Sequence, residues 1–170
     1  RLRHTGSMEY DISRLVRGDL PWRFEGRTHE YLVCARDASV TNELTLAWQV
    51  VHHADGGSRS TKFERDRNLL ELTLSEQPDD PRTLFYLAQT LETLGDHERA
   101  ADLYERRSVL GGFAEEAWFA SLRAAVLRSR VHAAMGLGQL LVCWQRRPSR
   151  LEPLHEIAEL CAQHGWAVRT

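Results

Sequence analysis

Cysteine is scarce in this chain of 170 residues: Cys34, Cys143 and Cys161 stand far apart, and no two form a CxxC pair. That spacing excludes a disulfide framework and a structural zinc site. The three read instead as small core residues of a protein kept in a reducing cytoplasm. Long apolar runs are missing too, and without about 18 consecutive apolar residues no membrane span is encoded. The opening Arg1-Leu2-Arg3-His4 leads into polar residues rather than the apolar stretch of a secretory signal. Position 1 is not Met, so the expectation is a piece excised from a longer protein. An excess of positive charge is also lacking. Twenty-two Lys+Arg against 24 Asp+Glu leave a net charge of −2, which argues against a bulk nucleic-acid binder.

What is present suits one folded domain, or a small domain plus a fragment of another: 42% of the residues are hydrophobic and 27% charged. The rhythm changes near residue 58. Four short runs precede it, at 13–17, 22–25, 29–34 and 44–53. They carry aromatic and β-branched residues, and in the last of them Leu44, Leu46, Trp48 and Val50 alternate with polar or small neighbours. A period of two is strand behaviour. Gly18-Asp19-Leu20-Pro21 and Gly26-Arg27 supply turns, and Ala54-Asp55-Gly56-Gly57-Ser58 breaks the chain. Four strands this short make a poor core alone and read as the edge of a larger sheet.

From Ser60 the period is helical. The pattern predicts helices over 62–76, 81–94, a stretch capped by Asp96 and running to Leu110, one from about Ala114, one over 131–145 and one over 151–164. Pro81 sits at a tolerated first-turn position, and Gly95 ends the second helix. Loops this short make consecutive helices antiparallel neighbours. The expected fold class is therefore α+β, mostly α: a β-rich segment over 1–58, then a stack of antiparallel helix hairpins over 59–170.

Within the stack, Leu84, Leu87, Ala88 and Leu91 share one side of a helix, Gly95 turns the chain, and Ala100, Leu103, Tyr104 and Arg107 follow. Small residues at Ala88 and Ala100 let two helices approach, with Tyr104 filling the space beside them. This unit resembles the tetratricopeptide repeat. It departs from that pattern at Arg107, where a small residue is usual, and at Gly112, where proline is usual. Leu154, Ile157, Ala158, Cys161 and Gly165 reproduce the spacing of Leu84, Leu87, Ala88, Leu91 and Gly95. The array then reads as a half unit, one strong unit, one degenerate unit and a closing helix, and the resemblance implies a right-handed stack. It also implies that first helices line a concave surface that grips a peptide or partner. The positions there are Arg82, Phe85, Gln89, Glu92 and Thr93, whose plainer reading is a solvated face.

The early half holds the unusual chemistry. Arg14-Leu15-Val16-Arg17 is followed by Trp22-x3-Gly26-x2-His29-Glu30, by a strand ending in His52, and by Lys62-x2-Arg65-Asp66-x2-Leu69-Leu70. Together with residues 82–96, 103–107 and 147–160, this order resembles the C-terminal end of a bacterial family 2 glycosyltransferase running into tetratricopeptide repeats. The resemblance implies a GT-A catalytic domain that moves a sugar from a nucleotide donor to an acceptor, with Mg or Mn as a divalent metal in the full-length enzyme. This chain has no DxD motif to hold such a metal and lacks the strand–helix units that hold the nucleotide, so no cofactor is expected in it and the chain alone is expected to be inactive.

Carried over by position, Glu30 is the candidate base for the acceptor hydroxyl and His29 a metal or phosphate contact; the other reading gives both a structural role. Trp22 either stacks on a sugar or anchors a core. His52, His53 and Asp55 either contact diphosphate or metal or are satisfied by backbone, and Arg59 is placed to meet phosphate. The partners implied are a nucleotide sugar in the parent enzyme, and a glycosyl acceptor, protein or peptide on the helices. Exposed strand edges make a homodimer an expectation. Two rival readings stay open: a non-catalytic tetratricopeptide interaction module, and a small metal hydrolase built on His29, His52 and His53.

Overall fold

A computed structural model describes residues 2–4, 9–10, 16–35, 50–52 and 61–166. The chain divides into two compact units, Arg1–Thr61 and Lys62–Thr170. The architecture is α+β and mostly α.

In the first unit, β1 (Leu2–His4) pairs antiparallel with β2 (Glu9–Tyr10) and parallel with β5 (Val50–His52). The parallel register sets the backbone of His4 beside that of His52. A parallel pair cannot be closed by a tight turn and needs a long crossover. Separately, β3 (Trp22–Glu25) and β4 (Tyr31–Cys34) form an antiparallel hairpin in which Trp22 faces Cys34 and Glu25 faces Tyr31. The strands at 2–4 and 9–10 escape a sequence reading, because neither is long enough to show alternation. Two other expectations need correction. Val16 and Arg17 are irregular rather than strand, and His29 and Glu30 lie in the β3–β4 connection rather than in β4. Residues 13–15, 44–49 and 53 of the expected strands lie outside the described residues.

Among the described residues the second unit has six helices: α1 (Lys62–Glu76), α2 (Pro81–Thr93), α3 (His97–Ser108), α4 (Ala114–Ser129), α5 (Ala133–Arg146) and α6 (Glu152–His164). Local chemistry sets their ends. Asp80 caps α2, its carboxylate accepting the Thr83 N–H at 2.7 Å, with Pro81 in the first turn where no N–H is needed. Gly95 follows with φ +86°, its own N–H donating to the Glu92 carbonyl and the next N–H, of Asp96, to that of Leu91. That left-handed step satisfies carbonyls a helix end leaves open and sends the chain back along α2. Asp96 then caps α3 through the Arg99 N–H. Replacing Asp80 by Ala is expected to cost about 1 kcal/mol and Asp80→Asn much less, measured by urea titration of helical circular dichroism.

Each helix packs on the next in sequence. Between α4 and α5, Gly136 meets Ser129 near the turn and Cys143 meets Ser121 farther from it, so the two run antiparallel. Leu70 of α1, Leu84, Leu87 and Leu91 of α2, Ala100, Leu103 and Tyr104 of α3 and Ala120, Ala124 and Leu127 of α4 form one core. Trp118, Leu122 and Val126 of α4 with Leu140 and Cys143 of α5 form a second, against which Ile157 of α6 rests. Each fully buried leucine contributes about 1.5–3 kcal/mol. Of the cysteines, Cys143 is buried while Cys34 and Cys161 are half-buried, so only the first is fully a core residue.

Candidate functional site

Two places carry candidate chemistry, one in each unit. The first is the end of the β3–β4 hairpin. Trp22 is half-buried, and its indole N–H donates to the Arg17 carbonyl at 2.9 Å, tying the preceding turn to the strand. On the opposite face of β3, Arg23 pairs with Glu25, and the Tyr31 hydroxyl donates to the same carboxylate at 3.1 Å. The Arg23 guanidinium, and then the Tyr31 hydroxyl, hold the Glu25 carboxyl below its ordinary range. The connection opens at Gly26, φ +103°, where a Cβ would stand 3.0 Å from the Thr28 carbonyl oxygen. It closes at His29, φ +52°, and among the described residues no other non-glycine has a positive φ. That conformation costs an L-residue about 1–2 kcal/mol. It turns the chain so that His29 and Glu30 are exposed at the hairpin end, directly before β4.

Of the other expected substrate contacts, His52 is at the end of β5, while His53, Asp55 and Arg59 lie outside the described residues. Among the described residues no group of three His, Cys, Asp or Glu side chains is placed to hold a metal ion. Nor is any described helix long and apolar enough to cross a membrane.

The second place is the side of α2 that faces α4. The expected groove residues take different roles there. Phe85 is not on the surface: it is buried among Tyr86, Tyr104 and Phe119, with ring centroids 5.5, 6.1 and 6.1 Å away in edge-to-face geometry. The reason is α4, whose Phe119 covers a position that looks outward when α2 is considered alone. Arg82 is half-buried with its guanidinium 4.7 Å above the Tyr86 ring. Glu92 is half-buried as well. It accepts the Tyr104 hydroxyl at 3.0 Å and pairs with Arg123 of α4, joining three helices through one carboxylate. Gln89 is half-buried, and the exposed Thr93 bonds its hydroxyl back to the Gln89 carbonyl at 2.9 Å. Polar groups thus line this side, but Glu92 is committed to holding the stack together.

Burial, and after it the Glu92 charge, pushes the Tyr104 phenol far above its ordinary value of 10.0. A folded value above the unfolded one gives stability that is complete below about pH 10 and is lost as pH rises through the folded value. The helical unit is therefore expected to weaken between pH 9 and pH 11. In Tyr104→Phe that alkaline loss shrinks, while about 1.5–3 kcal/mol is missing at pH 7 with the hydrogen bond to the carboxylate. Urea denaturation at the three pH values checks both.

The structure adds groups that the spacing does not announce. Trp118 donates its indole N–H to the Cys143 carbonyl at 3.2 Å and carries the Arg150 guanidinium 4.5 Å above its ring, with that of Arg147 at 5.8 Å. Glu115 pairs with both arginines, which pin the α5–α6 connection onto α4. A cleft of about 560 Å³ lies on the other side of the stack, among α1, α2 and α3, with Glu71, Pro78, Arg99 and Arg106 in its wall. None of the five expected groove residues borders it.

Compared with known proteins, the chain matches no family model and no curated protein.

Proposed function

We propose that this chain is the C-terminal region of a family 2 glycosyltransferase of the GT-A type, followed by a tetratricopeptide-like array that binds the acceptor or a protein partner. The observation that carries the reading is the β3–β4 hairpin. It sets the His-Glu pair of the Trp22-x3-Gly26-x2-His29-Glu30 motif at an exposed end, through a left-handed backbone step that is uncommon outside glycine. Strain at one exposed residue is a feature of functional sites. The parallel β1–β5 pair supports the same reading, because parallel pairing belongs to α/β sheets such as the proposed parent domain.

In this mechanism Glu30 takes the proton from the acceptor hydroxyl as that oxygen attacks the anomeric carbon of the donor sugar. The bond from that carbon to the nucleotide diphosphate breaks, and the leaving group departs with the electron pair. His29 sits next to the base, where an imidazole can donate to the growing phosphate charge. Trp22 braces the hairpin from its base through the Arg17 carbonyl.

The test is Glu30→Gln in the full-length enzyme. Transfer is expected to fall by about 10²- to 10⁴-fold with donor binding kept, since general-base catalysis supplies about that factor. Normal turnover in the variant would remove Glu30 from the mechanism. A second reading, an interaction module without catalysis, is favoured by the compactness of Lys62–Thr170 as a unit of its own. The two part on the parent reading frame, where a preceding α/β domain with a DxD motif decides for the enzyme.

A further inference from the structure

Helix α5 carries one face that the stack leaves open. Met135, Gly138, Gln139, Val142 and Arg146 recur at steps of three and four or close to them, so they share one side of the helix. They line a groove of about 400 Å³ whose far wall is Glu105 and Ser108 of α3 and whose floor includes the buried Ala124 of α4. Met135 and Val142 are 46 and 45% exposed, and a Cβ added at Gly138 meets nothing within 4 Å. The α5 wall is therefore an apolar strip with room above it. Past Ser108 and Arg146 the groove continues into a second hollow of about 290 Å³ beside Gly111 and Gly112.

Two polar groups in this wall have no task inside the fold. The side-chain oxygen of Gln139 is buried yet accepts no hydrogen bond from any described residue. A buried acceptor left unmet costs free energy, so each such group calls for an explanation. Of the two charged residues in the groove, Glu105 is committed to Arg128, whose Nε stands 2.9 Å from its carboxylate. Arg146 has no acidic partner among the described residues, although Arg147 and Arg150 just beyond it both pair with Glu115.

The spacing of these two groups selects a ligand. Gln139 and Arg146 are seven residues apart, about 10.5 Å along the helix axis. An extended peptide covers that distance in about three residues. A carboxamide meets a peptide backbone edge to edge, its oxygen accepting an N–H and its nitrogen donating to a carbonyl. A purely apolar ligand would leave the Gln139 oxygen unmet, and a basic peptide would be repelled by Arg146.

We propose that the groove among α3, α4 and α5 binds an extended acidic peptide segment. An apolar residue packs between Met135 and Val142 with its backbone on Gln139, and an aspartate or glutamate three residues along pairs with Arg146. This surface is not the one that the repeat resemblance implies. That resemblance puts a partner on first helices, whereas this groove runs between α3 and α5, the second helices of their units, and Arg82, Phe85, Gln89, Glu92 and Thr93 do not border it. The proposal is independent of the catalytic reading, and the outcome of Glu30→Gln leaves it unchanged.

The test titrates the ¹⁵N-labelled chain with a mixed library of capped eight-residue peptides in which Leu and Glu stand three residues apart, and with a matched library carrying Gln in place of Glu. With the first library the Gln139 side-chain amide signals are expected to shift saturably, while those of Gln89 on α2 stay in place. Arg146→Met is expected to weaken binding about fivefold, the upper range for an ion pair to an exposed arginine, and to bind the two libraries equally. Gln139→Leu is expected to weaken binding about three- to tenfold. Its thermal midpoint holds or rises, because the oxygen it removes has no partner among the described residues. Gly138→Leu fills the groove and abolishes binding with the midpoint kept. Equal binding of the two libraries by the parent chain overturns the proposal, since apolar contact alone would then choose the occupant. Silence at Gln139 overturns it too, as does a lower midpoint in Gln139→Leu, which would give that amide a structural task. Shifts at Gln89 in place of Gln139 also overturn it, yet leave the array's role in binding a partner standing.

Discussion

Replacing Arg107 by Met is expected to destabilise the helical unit by about 3–5 kcal/mol, the usual consequence of removing one partner from a buried charge pair. The Arg107 side chain is 1% exposed. One terminal nitrogen donates to the carbonyls of Leu110 and Gly111, each at 3.3 Å, and the other to that of Phe113 at 3.2 Å. Its Nε lies 3.8 Å from Oε1 of Glu116, which is 14% exposed. The guanidinium thus gathers the carbonyls of the α3–α4 connection and faces the first turn of α4. Met keeps the length and the apolar stem but takes the guanidinium from those carbonyls and leaves the Glu116 carboxylate with only the more distant Arg82 charge to offset its burial.

The pH dependence distinguishes this cause from simple loss of packing. Burial pushes the Glu116 carboxyl above its ordinary value of 4.5, and Arg107 works against that rise. Without the arginine it goes higher. A carboxyl whose folded value exceeds its unfolded one favours the fold fully below the unfolded value, and that contribution is lost as pH rises through the folded value. The deficit of Arg107→Met relative to the parent is therefore expected to be smaller at pH 4 than at pH 7. Adding Glu116→Gln is expected to recover part of the deficit at pH 7. Urea titrations of the two single variants and the double variant supply the numbers. A deficit independent of pH would assign the effect to packing alone.

The second large effect is at Gly136. A Cβ added there would stand 2.2 Å from the Ser129 Cβ and 2.3 Å from its Cα, and backbone cannot yield as a flexible side chain does. Gly136→Ala must move α5 away from α4, so the loss is expected at or above the upper end of the about 1–3 kcal/mol typical of overpacking. Gly138 is one short step along the same helix, and a Cβ there meets nothing within 4 Å. Gly138→Ala is expected to stabilise by about 0.8–1 kcal/mol through helix propensity alone. Thermal denaturation of the two variants should give shifts of opposite sign. Two stabilising shifts would refute the close contact between the helices.

The helical half was legible residue by residue because its signals are local. The spacing predicts 62–76 for α1, and the structure has Lys62–Glu76. Asp96 and Gly95 act where capping chemistry puts them. What stayed hidden depends on neighbours remote in sequence. Phe85 looks outward until Phe119 arrives from α4, and Glu92 looks like a ligand contact until Arg123 pairs with it. Arg107 stood out as a departure from the repeat pattern, but its role needed the carbonyls of the loop beyond it. In the β segment, His29 and Glu30 directly precede the run of β4 in sequence, while the left-handed step at His29 takes them out of the strand. No spacing argument carries that information.

Among the described residues, α4 is the helix whose buried residues belong to both cores, so it joins the two ends of the array. Damage on the α5–α6 side is passed to α2 and α3 through α4. Under load such an assembly comes apart in stages, like a zip opened from its tail, with the leading pair of rods still closed.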